Sequence, residues 1–357
     1  MEGESALRHL PNLDGLRTLA AFSVVVTHCN AFAAIDADQF WGGDWTKQVL
    51  FGQARLGVQF FFVLSGFLIT TIALQEAKID IRRFWLRRIL RIWPVYFLVV
   101  AVGFLASLTP WPIYAMDNNN WALLLCFLEN FDIIPLFRDN IPFGYIVSVL
   151  WSVSIEEQFY FIYPILLALL PRRFYLPFFS LIVAGALCYR LHPAVEPFSK
   201  QFGSLAACYE LGLGCLLAMA FRPIPRPTLP RPLLLVPYAL LLASILWNHQ
   251  SATLDLGRPL LFCMILFDQA FCPQSWLQTR FIPGLNSLGK ITYGIYAYHI
   301  GLAILINQIM ASYSKAPRTV PLFLLYLLLV SLCTVAISSL SYRFMERPLM
   351  GLAPRKN

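Results

Sequence analysis

The chain has 357 residues, 58% of them hydrophobic and only 13% charged, with a net charge of +8. Soluble proteins carry roughly 25% charged residues, so a soluble globular protein is excluded and an all-α, polytopic membrane protein is expected. The basic excess does not call for nucleic acid, because Lys and Arg collect in the cytoplasmic loops of membrane proteins; a basic loop can also hold an anionic ligand such as a nucleotide phosphate.

Apolar blocks of 15–26 residues are long enough to cross a hydrocarbon core of about 30 Å. They predict ten spans, at 17–34, 56–74, 90–108, 150–170, 174–191, 202–221, 233–248, 254–272, 288–310 and 320–342. The first reads as an uncleaved span. Ala31-Phe32-Ala33 resembles a signal-peptide cleavage site, but residues 1–12 lack a basic run, and Arg17 and His28 suit an apolar signal core poorly. A further apolar piece, 121–137, contains Glu129, Asn130, Asp132 and Pro135, which suit a re-entrant or interfacial segment better than a lipid-facing span.

Charge counting supports that reading. With ten spans and both ends cytoplasmic, nineteen Lys and Arg fall inside and eight outside; if 121–137 also crossed, the balance would be fourteen to thirteen. The loop RPIPRPTLPRP (222–232) is expected to be a stiff cytoplasmic connector. The whole chain reads as one membrane domain, with its core at 12–345 and a short cytoplasmic tail at 346–357. The eight cysteines form no CxxC or metal spacing, so neither a disulfide framework nor a metal site is expected, and Cys29 diverges from its neighbour His28 around the helix.

Ionisable residues inside a membrane helix are costly and point to function. Arg17 and His28 stand eleven residues apart in the first span, which puts them on one helical stripe about 16 Å apart along the axis. The bland alternative for His28 is a ring donating to a carbonyl in a helix interface. In the run IDIRRFWLRRILRIWP (79–94), Arg88 and Arg91 share a helical face. Such a run usually sets topology, but arginine forks also bind phosphate and would attract a polyanion such as coenzyme A.

In the fourth span, Glu156 and Glu157 are expected near the outer end. Glu156 and Tyr160, at i and i+4, form a polar stripe, although simple dipole complementation explains acids near a helix start. Thr292, Tyr296 and His299 fall on one seam of the ninth span, which interhelical hydrogen bonding also explains. Glu210 and Asp268 are intramembrane acids and candidate counter-ions for Arg17 or Arg91.

Six segments together resemble the membrane-bound acyltransferase family 3, which includes surface-polysaccharide O-acetyltransferases and macrolide acyltransferases. They are LDGLRTLAAFSVVVTH (13–28), GVQFFFVLSGFLIT (57–70), FWLRRILRIWPVY (84–96), WSVSIEEQFYFIYP (151–164), GKITYGIYAYH (289–299) and SYRFMERP (341–348). Apolar segments match singly by chance, but these occur in family order across nearly the whole chain.

The resemblance implies a ten-helix domain in the bacterial inner membrane. It would move an acyl group, usually acetyl, from cytoplasmic acyl-CoA to a hydroxyl of an extracytoplasmic acceptor such as a glycan. It places the family's Arg/His motif on Arg17 and His28, its Arg-x-x-Arg motif on Arg88 and Arg91, its WS-x-S-x-E glutamate on Glu156, and its Tyr/His segment on Tyr296 and His299. Some members add a C-terminal hydrolase-like domain, which is not expected in this chain.

His28 and Glu156 are then the expected catalytic residues, with Arg17, Arg88 and Arg91 binding acyl-CoA, most simply acetyl-CoA, as cosubstrate. His28 is expected to take the acceptor's proton, with a covalent acyl-histidine as the alternative path. Acceptor choice is expected in the outer loops 35–55 and 109–145, where Trp41, Trp45, Trp111 and Trp121 either stack on sugar rings or anchor at the interface. The rival reading is a transporter or flippase of a lipid-linked sugar or acyl ester.

Overall fold

A computed structural model describes residues 11–33, 48–49, 53–76, 79–109, 121–138, 146–221, 229–247, 252–313 and 319–353. Residues 35–47, 50–52, 110–120 and 139–145 of the outer loops and 222–228 of the connector, with Trp41, Trp45 and Trp111, lie outside them. The described residues hold no strand. Among the described residues, ten helices of sixteen residues or more overlap the segments predicted as spans: α1 (Pro11–Ala33), α2 (Ala54–Leu74), α3 (Ile81–Ser107), α4 (Leu150–Leu169), α5 (Tyr175–Leu191), α6 (Ser204–Phe221), α7 (Arg231–Leu246), α8 (Ala252–Phe271), α9 (Thr292–Tyr313) and α10 (Val320–Ser341).

Six helical stretches are long and apolar enough to cross a membrane: Arg55–Leu74, Ile81–Ser107, Arg172–Leu191, Pro197–Phe221, Thr292–Tyr313 and Val320–Met350. Of the other four helices, α7 has only 16 residues. The protein is an all-α, multi-pass membrane protein.

Local chemistry sets several helix ends. The Asp80 carboxylate accepts from Arg83 N at 3.0 Å and caps α3. That start lies nine residues before the predicted one, so the basic run is helical and Arg88 and Arg91 sit two to three turns inside it. Pro sits in the first turn of α7 and α10, where its missing N–H costs nothing. Beyond α10, a π-helical turn, Tyr342–Glu346, carries the chain into Arg347–Met350.

Helices α2 and α6 form the centre of the bundle. A Cβ on Gly66 would lie 2.0 Å from Leu211 O, and one on Gly214 would lie 2.0 Å from Val63 O. Two glycines facing opposite backbones let the helix axes approach closely, the packing available when lipid removes the hydrophobic drive between helices. Helix α1 packs against both α2 and α9.

The piece at 121–137 does not form one span. It breaks between short helices Trp121–Leu125 and Glu129–Arg138, with Phe127 at φ 57°. The Phe127 ring sits on Trp93, Tyr96 and Phe97. Gln158 Nε2 donates to Phe127 O and to Asn130 Oδ1, both at 2.8 Å. Trp121 packs edge-on against Phe104. Protein groups therefore hold the non-helical backbone, the condition for irregular chain at membrane depth.

Candidate active site

Two cavities are lined by most of the residues that the sequence singles out, though not by His299 or Asp268. The first, about 160 Å³, is lined by Arg17 of α1, Ser65 of α2, Arg88 and Arg91 of α3, and Glu156 and Tyr160 of α4. The second, about 680 Å³, is lined by His28, Gln59, Trp151, Arg190, Glu210 and Tyr296 among others. Val58, Phe62 and Tyr296 line both, so the arginine chamber and the histidine chamber are neighbours that share a side-chain wall. The arginine chamber meets the start of α1, α3 and α9 and the end of α2; the histidine chamber meets the end of α1 and the start of α2. The two therefore lie one beyond the other along the bundle.

In the arginine chamber, Arg17 Nη1 bonds Asp14 Oδ1 at 3.0 Å, one helical turn earlier. Ser65 Oγ donates to Glu156 Oε1 at 2.6 Å, and the Tyr160 hydroxyl lies 3.3 Å from Glu156 Oε2. The Arg88 guanidinium stands 4.8 Å over the Tyr160 ring, a cation–π contact that orients it. Three guanidiniums share this lining with one carboxylate.

A third cavity, about 170 Å³, continues from Ile72, Arg88 and Arg91 to Glu76, Arg83 and Arg87. There, Arg83 Nε and Nη2 are buried without a hydrogen-bond partner. Those two atoms share one edge of the guanidinium, the fork that grips a phosphate or carboxylate.

Glu156, expected near the outer end of the fourth span and as a catalytic residue with His28, does not line the histidine chamber. Its side chain lies among the arginines, held by Ser65 and Tyr160. The i, i+4 stripe does form, but it turns toward α2 and α3. Glu157 accepts from Trp93 Nε1 at 2.8 Å.

The pairing expected for the other acids is also corrected. Glu210 takes Arg190 Nη2 at 2.8 Å. Asp268 accepts from the Tyr238 hydroxyl at 2.7 Å and Ser275 Oγ at 2.8 Å. Neither is a counter-ion of Arg17 or Arg91; each answers a polar group on its own side of the bundle.

His28 is met by His299, 271 residues later, with Nδ1 of the first 2.8 Å from Nε2 of the second. His299 is fully buried, and its Nδ1 lies 2.6 Å from Tyr296 O. A carbonyl only accepts, so His299 Nδ1 carries a hydrogen. In a neutral ring its Nε2 then accepts, and His28 Nδ1–H must donate. That leaves the lone pair of His28 free on Nε2, the tautomer a base needs.

Tyr296 also closes the wall between the chambers. Its hydroxyl donates to Val149 O at 3.2 Å and accepts from Ser152 Oγ at 2.6 Å. Thr292 lines the arginine chamber and donates to Gly289 O at 3.0 Å. The seam of the ninth span thus serves the chamber, the wall and the imidazole in turn. Ser65, Gln59 and Arg190 were not singled out from sequence. Only Arg190 carried a signal that would have exposed it, a charge at the end of an apolar run.

The profile of the acyltransferase 3 family, described as an acyltransferase domain, matches residues 10–343. The O-acetyltransferase OatA of Staphylococcus aureus strain NCTC 8325 is 27% identical over 384 aligned positions, covering 96% of this chain and 57% of the relative. Chains with O-acetyltransferase names from strains COL and MW2 are 27% identical over 387 positions with the same coverage. The chain thus spans little more than half the length of the curated relatives it matches. No solved structure matches it. With the profile covering nearly all of the described helices, the chain belongs to the acyltransferase 3 family.

Proposed function

We propose that this protein is an O-acyltransferase of the bacterial inner membrane, which moves an acyl group, most simply acetyl, from cytoplasmic acyl-CoA to a hydroxyl of an extracytoplasmic acceptor, a carbohydrate. The observation that carries this reading is the His28–His299–Tyr296 chain, which leaves His28 Nε2 unprotonated in a ring that lines a large cavity. It stands one side-chain layer from a chamber rich in arginine.

Donor binding follows from charge. Arg17, Arg88 and Arg91 outnumber Asp14, which pairs Arg17, and Glu156, and with the unpaired edge of Arg83 they favour an anion over a neutral guest. The phosphates of acyl-CoA meet Arg83, Arg88 and Arg91 at the end of the bundle, and the narrow arginine chamber takes the extended pantetheine arm. The positive-inside bias puts that end in the cytoplasm.

The thioester must then pass Phe62 and Tyr296 to reach His28. The acceptor oxygen forms a bond to the acyl carbon while its proton moves to His28 Nε2. The carbon–sulfur bond breaks, and the departing thiolate takes the proton to leave as free CoA. Glu156 acts on the donor side by fixing Ser65 and Tyr160.

The test is transfer by the full chain in lipid nanodiscs, with radiolabelled acetyl-CoA and cell-surface glycan. His28→Ala should lower transfer by about 10²–10⁴-fold, the usual worth of general base catalysis. Transfer within threefold of the wild type would overturn the assignment.

A further inference from the structure

The histidine chamber holds a second polar cluster, opposite in character to the arginines. Arg190 of α5, Glu210 of α6 and Gln59 of α2 come from three different helices and are 8%, 1% and 3% exposed. All three line the same cavity as His28. The Arg190–Glu210 pair closes at 2.8 Å, Gln59 Nε2 lies 3.3 Å from Glu210 Oε1, and the Arg190 guanidinium stands 5.5 Å over the Tyr209 ring.

The cluster is only half satisfied. Arg190 Nε and Nη1, Glu210 Oε2 and Gln59 Oε1 are buried with no hydrogen-bond partner. Buried polar atoms are nearly always paired, and those that are not ask for an explanation. The three side chains that carry these two spare donors and two spare acceptors all line one cavity. We propose that Arg190, Glu210 and Gln59 form the acceptor subsite of the histidine chamber, and that it takes a neutral, polyhydroxylated sugar unit.

The chemistry follows from the set of spare atoms. Each hydroxyl of a sugar both donates and accepts, so several hydroxyls of one polyhydroxylated unit answer the guanidinium, the carboxylate and the amide oxygen. An anionic group does not suit the site. Arg190 is already neutralised by Glu210, and the other arginine of the cavity, Arg55, bonds Asp255 at 3.1 Å. A phosphate or uronate would lie against the spare oxygen of Glu210. The arginine chamber, with three guanidiniums and one carboxylate, has the opposite preference. Trp151, packed edge-on against Phe202 and Phe62, adds an apolar surface to the same cavity, suited to the C–H face of a sugar ring.

This inference rests on the histidine chamber being the acceptor side, and its test is separable from the catalytic one. Full-length protein in nanodiscs is titrated with chitotetraose, maltotetraose and tetragalacturonate, and binding is followed by saturation-transfer NMR. The wild type should bind at least one neutral tetrasaccharide and prefer it over tetragalacturonate. Gln59→Leu leaves no buried charge exposed, and Arg190→Met/Glu210→Met removes the pair together, so each is expected to stay monodisperse. Each should weaken the neutral saccharide about tenfold or more, the worth of one or two buried hydrogen bonds, while binding acetyl-CoA as the wild type does.

His28→Ala should bind the saccharide normally. Saccharide affinity within twofold of wild type in both subsite variants, or equal or tighter binding of tetragalacturonate, overturns the subsite. Normal transfer by His28→Ala alongside lost saccharide binding in Gln59→Leu would instead sink the catalytic reading and leave the subsite standing.

Discussion

At the scale of single residues, the weight falls on one hydrogen-bond chain, from Tyr296 O through His299 to His28. In the proposed reaction His299 is a positioning residue, which sets the nitrogen of His28 that is bare. His299→Phe keeps a ring in the buried space but removes the acceptor for His28 Nδ1–H. It should lower kcat by about 10–100-fold, within the range lost when a catalytic group is held in the wrong tautomer or orientation. KM for acetyl-CoA should stay the same. His299→Gln, which can still accept, should restore part of kcat. Steady-state kinetics of both variants checks this, and a rise in KM without loss of kcat would contradict it.

The arginines make a different prediction. Arg88→Ala or Arg91→Ala should raise KM for acetyl-CoA about tenfold or more, the value of one charge-assisted phosphate contact. Either should leave the use of acetyl-pantetheine, which lacks the nucleotide, unchanged. Equal losses with both donors would show that these guanidiniums support the fold rather than the phosphates.

At the scale of elements, the α2–α6 contact organises the site, because α2 carries Gln59 and Ser65 while α6 carries Glu210. Gly66→Val would drive a side chain into the Leu211 carbonyl. Overpacking of this kind typically costs about 1–3 kcal/mol, so thermal unfolding followed by size-exclusion chromatography should show a clear drop in midpoint. An unchanged midpoint would mean that the two helices are free to separate.

The helices themselves were legible in the sequence because a span needs an unbroken apolar run, and the run shows its own length. That 121–137 is no plain lipid-facing span was legible too, since Glu129, Asn130 and Asp132 suit lipid poorly, but the break at Phe127 was not. The start of α3 was not, because charges at a helix end look the same whether helical or looped. Partners across helices were the least legible. Arg190 and Glu210 lie twenty residues apart on neighbouring helices, and His28 and His299 lie 271 apart; nothing local pairs them. Glu156 was expected near the outer end from its distance from the helix start, whereas its side chain meets Ser65 of α2.

At the scale of the molecule, two cavities of contrasting charge lie along one bundle and share a wall of Val58, Phe62 and Tyr296. That arrangement suits an enzyme whose two substrates come from opposite sides, with the wall separating the thioester from water until an acceptor is seated. A carrier of acyl esters would also use stacked cavities, but it would release no CoA. The most direct test is rapid mixing of radiolabelled acetyl-CoA and acceptor glycan with the wild type and with His28→Ala. The account predicts equal acetyl-CoA binding by both proteins, with free CoA and acetylated glycan formed together only by the wild type. Acetylated glycan formed by His28→Ala at the wild-type rate, or acetyl-CoA taken up by the wild type with no CoA released, would contradict it.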